Sequence, residues 1–105
     1  MSIKLSAARA LVYNAARSGE GGFPDMLLAA QAKVFTSENA IQVVNDALQF
    51  FGARGYSREL PLERMARDVR MFTIGGGTAE VLRNVVAGVL LKKKLPQTRD
   101  GWDKA

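Results

Sequence analysis

Apolar residues that recur every seven positions mark the middle of this chain and limit its fold more than any other feature. The residues at this interval are Leu27, Val34, Ile41 and Leu48. Spacings of three, four and seven put side chains on one face of an α-helix. Pro24 suits the first turn of such a helix, and Gly52 and Gly55 end it. We therefore predict one long helix of about 28 residues.

Three further segments have helical periodicity. Residues Ser2 to Arg17 precede a glycine-rich stretch at 18–22, Leu60-Pro61 begins a third helix, and a fourth follows the glycines at 75–77. The fourth helix is apolar around most of its circumference, so we expect it to be largely buried. The third helix has a narrower predicted buried edge, which consists of Leu62, Met65, Val69 and Phe72.

These segments predict an all-α fold, because no strand pattern interrupts them. Short connections between helices are typical of an antiparallel up-and-down bundle, here of four helices. The first helix has about half the length of the second, so it is truncated relative to a matched bundle and leaves part of the second uncovered. We expect residues 1–96 to form this helical domain and residues 97–105 to form a flexible tail, with Trp102 as its one anchor.

The composition excludes several classes of chemistry. The 105 residues fit one small domain and include no cysteine and no histidine, which excludes disulfides, thiol catalysis and imidazole bases. We therefore predict no metal site, since the usual zinc ligands are missing. No stretch approaches the roughly 20 apolar residues of a membrane span or has the form of a secretory signal, so we expect a cytoplasmic protein with no membrane partner.

The net charge of +5 is compatible with nucleic acid, an acidic membrane surface or a phosphate-bearing small molecule. Arg64, Arg67 and Arg70 form a basic cluster on the predicted third helix. Glu63 and Asp68 lie beside them at helical spacing, which favours a salt-bridged surface over a phosphate-binding one. We therefore predict no nucleic-acid partner.

Three consecutive glycines at 75–77 stand between the third and fourth helices. A glycine run at a helix N-terminus can bring bare N–H groups against an anion, but no Lys-Ser/Thr pair follows here, as it would in a P-loop. Spacing alone favours a structural turn, with Thr78 as the N-cap of the fourth helix and Glu80 in its first turn. The segment 49–56 likewise has the pattern of a helix C-terminus capped by glycine and followed by a solvent-exposed Arg54.

Four segments in this order resemble the C-terminal helical domain of the FAD-dependent acyl-CoA dehydrogenases. They are residues 29–33 (AAQAK), 49–56 (QFFGARGY), 62–70 (LERMARDVR) and 74–81 (IGGGTAEV). The resemblance spans about residues 2–95. It implies an enzyme family that oxidises acyl-CoA thioesters, in which a carboxylate removes the Cα proton while the Cβ hydride moves to the flavin.

The resemblance also implies roles for two groups of residues. The first group would contact the FAD of a neighbouring subunit in a homo-oligomer, and consists of Gln49, Phe50, Phe51, Gly52 and Ala53. In the second group, Thr78 and Glu80 would approach a flavin, while Gly76 and Gly77 would pass beside the thioester of the acyl-CoA substrate. Only glycine allows a backbone to come this close.

Three departures from the family pattern alter these expectations. Many members have the catalytic glutamate where this chain has Gly76, so we predict no catalytic residue here, and Ala53 stands where a second glycine is usual. Members also have an N-terminal helical domain and a β-domain before this region. We therefore expect a partial C-terminal domain that supplies FAD and subunit contacts and has no activity alone. The alternatives are a non-catalytic subunit of the same family and a free-standing helical interaction module.

Overall fold

The computed structural model describes residues 1–95, which form five helices and no strand. The helices are α1 (Ser2–Arg17), α2 (Met26–Phe51), α3 (Ala53–Tyr56), α4 (Leu62–Met71) and α5 (Ala79–Leu91). The predicted all-α fold is confirmed, and the one-turn helix α3 is added to the four that periodicity indicated. The predicted tail at 97–105, with Trp102, lies outside the described residues.

Helix α2 is the central element of the fold. Each of the other four helices packs against it, whereas within residues 1–95 no Cα atoms of α1, α4 and α5 approach one another within 8 Å. Helix α1 runs antiparallel to α2, because Lys4 near its start donates a hydrogen bond to Gln42, and Ser18 after its end accepts one from the Asp25 N–H. Helix α1 has 16 residues and α2 has 26, so α2 extends beyond its neighbour.

The ends of α2 follow ordinary capping chemistry. Asp25 is its N-cap, since the carboxylate accepts a hydrogen bond of 2.9 Å from the Leu28 N–H. Pro24 therefore precedes the helix, and the prediction that it lies in the first turn is wrong. Gly52 ends α2 at φ 57° and ψ −136°, a conformation that glycine adopts without a Cβ penalty.

Gly55 has a different role from the predicted one. It does not end α2 but lies buried inside α3, where a Cβ atom would come within 2.5 Å of the Leu48 carbonyl oxygen. The missing side chain lets α3 fold back directly onto the last turns of α2. A helix of four residues is too short to produce a periodic pattern, which is why periodicity did not indicate it.

The buried residues between the helices are all small or medium-sized. They are Ala15, Ala30, Ala32, Val44 and Ala79, with the polar Ser37 and Thr73. No large side chain is fully buried within residues 1–95. The predicted burial of α4 and α5 is therefore wrong for this chain, since Phe72 is 51% exposed and Leu90 is 63% exposed. Both helices pack against α2, but the described residues cover their apolar faces only in part.

Within residues 1–95, no helix is both long and apolar enough to cross a membrane. The same residues contain no group of three or more acidic, histidine or cysteine side chains placed to hold a metal ion.

Candidate functional site

The glycine run forms a closed turn between α4 and α5. The Thr73 carbonyl accepts a hydrogen bond of 3.0 Å from the Ala79 N–H and so joins the two ends of the turn. Gly76 and Gly77 have φ angles of 69° and 91°, in the region that favours glycine. A Cβ atom on Gly75 would lie 2.7 Å from the Met71 sulfur. At each of the three positions, therefore, a conformational or a steric constraint favours glycine over other residues.

Thr78 and Glu80 begin helix α5 directly after this turn. The Thr78 hydroxyl accepts a hydrogen bond of 3.1 Å from the Val81 N–H, so Thr78 is the predicted N-cap. Glu80 is exposed and lies in the first turn, where a negative charge suits the helix dipole. The structure thus brings Gly76, Gly77, Thr78 and Glu80 together at one edge of the molecule.

Lys33 is a residue of this site that sequence reasoning missed. Its ammonium group projects from α2 into the glycine turn and donates hydrogen bonds to the carbonyls of Gly75, at 2.9 Å, and Gly77, at 2.5 Å. These partners lie 42 and 44 residues further along the chain. The only sequence signal was the position of Lys33 in the family-like segment 29–33, which carries no information about its contacts.

The second predicted group lies where α2 meets α3. Gln49, Phe50, Phe51 and Ala53 are exposed there, with Phe50 80% exposed, and Gly52 forms the corner. A depression of about 190 Å³ lies beside Gln49 and Phe50. This volume is below the 300 to 1,000 Å³ that is usual for ligand pockets, so these residues supply one wall of any larger site.

The two predicted groups do not meet within one chain. Gln49 lies sixteen positions after Lys33, which holds the glycine turn, and this corresponds to about 24 Å along the axis of α2. The turn and the α2–α3 corner therefore act as separate surfaces.

An ion pair links α2 to α5 beyond the glycine turn. The Arg83 guanidinium donates two hydrogen bonds to the Glu38 carboxylate, at 2.6 and 2.8 Å. These bonds hold the pKa of Glu38 below its ordinary value of 4.5 and raise that of Arg83. The pair lines a groove of about 630 Å³ between α1, α2 and α5, together with apolar residues such as Leu11, Val34 and Val86.

The resemblance implied flavin contacts at both surfaces, and each surface has features that are compatible with this prediction. At the turn, the N–H groups of Gly76 and Thr78 have no hydrogen-bond acceptor among residues 1–95, and the absence of side chains at 75–77 permits close approach. At the corner, Phe50 offers an exposed aromatic face. Neither surface encloses a ligand, so other polypeptide would have to complete the site.

Comparisons with known proteins agree with the family resemblance. The sequence profile described as "Acyl-CoA dehydrogenase, C-terminal domain" matches residues 1–91. Two relatives named 3-sulfinopropanoyl-CoA desulfinase, from Advenella mimigardefordensis and Variovorax paradoxus, are 60% and 62% identical to this chain over 100% and 99% of its length. The chain spans 26% of each of these curated relatives.

A solved structure gives the same result for the fold. The butyryl-CoA dehydrogenase of Megasphaera elsdenii superimposes with a TM-score of 0.81 at 42% identity, covering 86% of this chain and 24% of that one. The profile match, the sequence relatives and this structure concern the same helical region. The chain belongs to the acyl-CoA dehydrogenase family, as a C-terminal helical domain.

Proposed function

We propose that this chain is the C-terminal domain of an enzyme that removes the sulfinate group from 3-sulfinopropanoyl-CoA. The observation that carries the proposal is Gly76, which places no carboxylate where many dehydrogenases of the family have their base. Two relatives about 60% identical over nearly the whole chain have the corresponding name. The domain alone is proposed to be inactive, since it supplies only part of the site.

The chemistry of the two reactions explains why Gly76 matters. Dehydrogenation breaks the Cα–H bond and therefore needs a base beside Cα. Desulfination breaks the Cβ–S bond instead, so that the sulfinate and one water become propanoyl-CoA and hydrogen sulfite. No proton leaves Cα in this balance, and one proton is added at Cβ. A turn without a carboxylate also avoids repulsion of the anionic sulfinate.

We propose that the glycine turn borders the thioester, through Gly76 and Gly77, and that Thr78 and Glu80 approach the flavin. Bound FAD would supply the planar, electron-accepting ring against which the acyl group is oriented. We place Gln49 to Ala53 against the FAD of a neighbouring subunit. The separation of about 24 Å along α2 supports two different FAD molecules rather than one.

A homo-oligomer would provide that neighbouring subunit. The chain leaves large apolar side chains exposed on α4, α5 and the α2–α3 corner, such as Phe72, Leu90 and Phe50. Exposed apolar surfaces of this extent are typical of faces covered by other polypeptide.

The test uses the full-length protein that contains this domain, purified with its flavin. We expect sulfite and propanoyl-CoA from 3-sulfinopropanoyl-CoA, and no reduction of an electron acceptor with butanoyl-CoA. Gly76→Glu is expected to lower sulfite release at least tenfold, because it restores a carboxylate beside the substrate anion. Gly21→Glu is the matched control, since Gly21 also has a positive φ and open space around its missing Cβ.

Acceptor reduction with butanoyl-CoA and no sulfite would instead assign a dehydrogenase whose base lies elsewhere in the protein. The second candidate function, also favoured by Gly76, is that of a non-catalytic subunit. In that case the flavin-loaded protein would form neither sulfite nor reduced acceptor. A helical interaction module requires no flavin at all.

A further inference from the structure

The interior contacts of the glycine turn point to a role for Lys33 that the family resemblance did not include. The ammonium group of Lys33 binds two carbonyl oxygens of the same turn, those of Gly75 and Gly77. The Thr73–Ala79 hydrogen bond closes the turn around it. A charged donor shared between two carbonyls forms stronger hydrogen bonds than a neutral one.

These two contacts determine the orientation of two peptide planes. The peptide bonds of residues 1–95 are trans, so the C=O and N–H groups of each plane point in opposite directions. Holding the Gly75 oxygen toward Lys33 turns the N–H of Gly76 away from it. Holding the Gly77 oxygen toward Lys33 does the same for the N–H of Thr78.

Both of these N–H groups are free to bind another molecule. Neither Gly76 nor Thr78 donates a backbone hydrogen bond to any acceptor within the part of the chain that the structure describes. Glycines without such restraint would rotate between several peptide orientations, because their backbone has the fewest steric limits. The lysine thus selects one arrangement of a turn whose sequence permits many.

We infer that Lys33 is a positioning residue that holds the N–H groups of Gly76 and Thr78 outward as a donor pair for a carbonyl oxygen or oxyanion of the bound acyl thioester. Lys33 lies on the opposite side of the peptide planes and does not touch the substrate itself. This inference rests on the proposed function for the identity of the ligand, whereas the orientation of the turn stands on the contacts alone.

The first experiment measures the turn in the 105-residue chain. Lys33→Met removes the three donors and keeps most of the side-chain volume, and Lys4→Met is the control, since Lys4 also bonds to a partner across helices. We expect the amide NMR signals of Gly76 and Thr78 to broaden or split in Lys33→Met and to stay single in Lys4→Met. Unchanged, single signals in Lys33→Met would overturn the inference.

The second experiment measures the ligand in the full-length flavoprotein. Propanoyl-CoA with a ¹³C-labelled carbonyl serves as the probe, and its infrared stretching frequency is compared free and bound. We expect the wild-type protein to lower this frequency, and Lys33→Met to lose most of the shift and to bind the probe about tenfold more weakly. A purely structural lysine would change the amount of folded protein but not the frequency of the bound carbonyl.

Two further variants at the same position, Lys33→Arg and Lys33→Gln, complete the test. Lys33→Arg retains donors and should recover part of the frequency shift, and Lys33→Gln, too short to reach both carbonyls, is used if Lys33→Met fails to fold. A wild-type shift in either Lys33→Met or Lys33→Gln would refute the positioning role. Sulfite release is measured separately, so that its absence beside a normal wild-type shift would overturn the desulfinase proposal and leave this inference in place.

Discussion

The close packing of α3 on α2 leads to a prediction about Gly55. A Cβ atom at this position would lie 2.5 Å from the Leu48 carbonyl oxygen and 3.1 Å from the Phe51 Cβ atom. Real Cβ contacts are not this short, and one of the two partners is backbone, so Gly55→Ala must move α3 away from α2. Overpacking of this kind costs about 1 to 3 kcal/mol.

One opposing contribution must be subtracted from this cost. Alanine is favoured over glycine inside a helix by up to about 1 kcal/mol, and in a four-residue helix the gain is smaller. We therefore expect Gly55→Ala to lower the free energy of unfolding by about 1 to 2 kcal/mol, which corresponds to a decrease in Tm of about 5 to 15 °C for a domain of this size.

The assay is thermal and urea unfolding of the chain, followed by circular dichroism. Gly22→Ala is the matched control, because Gly22 has no positive φ and its nearest neighbour, the Gly19 oxygen, would be at 3.4 Å. We expect this control to remain within about 0.5 kcal/mol of the parent chain. Equal stability of Gly55→Ala and Gly22→Ala would refute the argument that α3 requires the missing side chain.

Three further predictions follow from other contacts. Hydrogen bonds from Arg83 lower the pKa of Glu38 in the folded state. The ion pair therefore stabilises the fold at pH values above 4.5, the ordinary pKa of this carboxyl group, and the contribution is lost as the pH falls through the folded pKa. Urea midpoints between about pH 6 and pH 3 should therefore fall less for Glu38→Gln than for the parent chain, and equal decreases would contradict the assignment. Thr78→Ala should destabilise the chain by about 1 kcal/mol through loss of the α5 N-cap, whereas Thr78→Ser should retain most of the stability; similar losses for both would argue against capping. The exposed apolar faces of α4 and α5 should cause self-association at micromolar concentration in sedimentation experiments, and a stable compact monomer would contradict this.

Periodicity and capping rules were sufficient to predict the main helices. The seven-residue spacing from Leu27 indicated α2, and the glycine stretch after Arg17 marked the end of α1, which has the predicted bounds. Thr78 was predicted as an N-cap because its chemistry is local: the hydroxyl binds an N–H three residues later. Features decided within one or two helical turns were therefore accessible from the sequence.

Features that depend on distant contacts were not accessible. Lys33 binds carbonyls more than forty residues away, and no local rule pairs a lysine with a glycine turn. The prediction that α5 is largely buried was wrong for a related reason. The sequence pattern identifies an apolar face of the helix but not the polypeptide that covers it. The roles of Gln49 to Ala53 and of Thr78 and Glu80 toward FAD came from the family resemblance, and they remain predictions.

The small size of the buried residues has a consequence for the thermodynamics of the isolated chain. Unfolding raises the heat capacity in proportion to the apolar surface that becomes newly hydrated, usually by about 1.2 to 1.5 kcal/mol/K for 100 residues. Here the interior consists of residues such as Ala30, Ala32 and Ala79, while Phe50, Phe72 and Leu90 are already in contact with water. The heat capacity increment of the chain should therefore lie below this range, and its stability should vary only weakly with temperature.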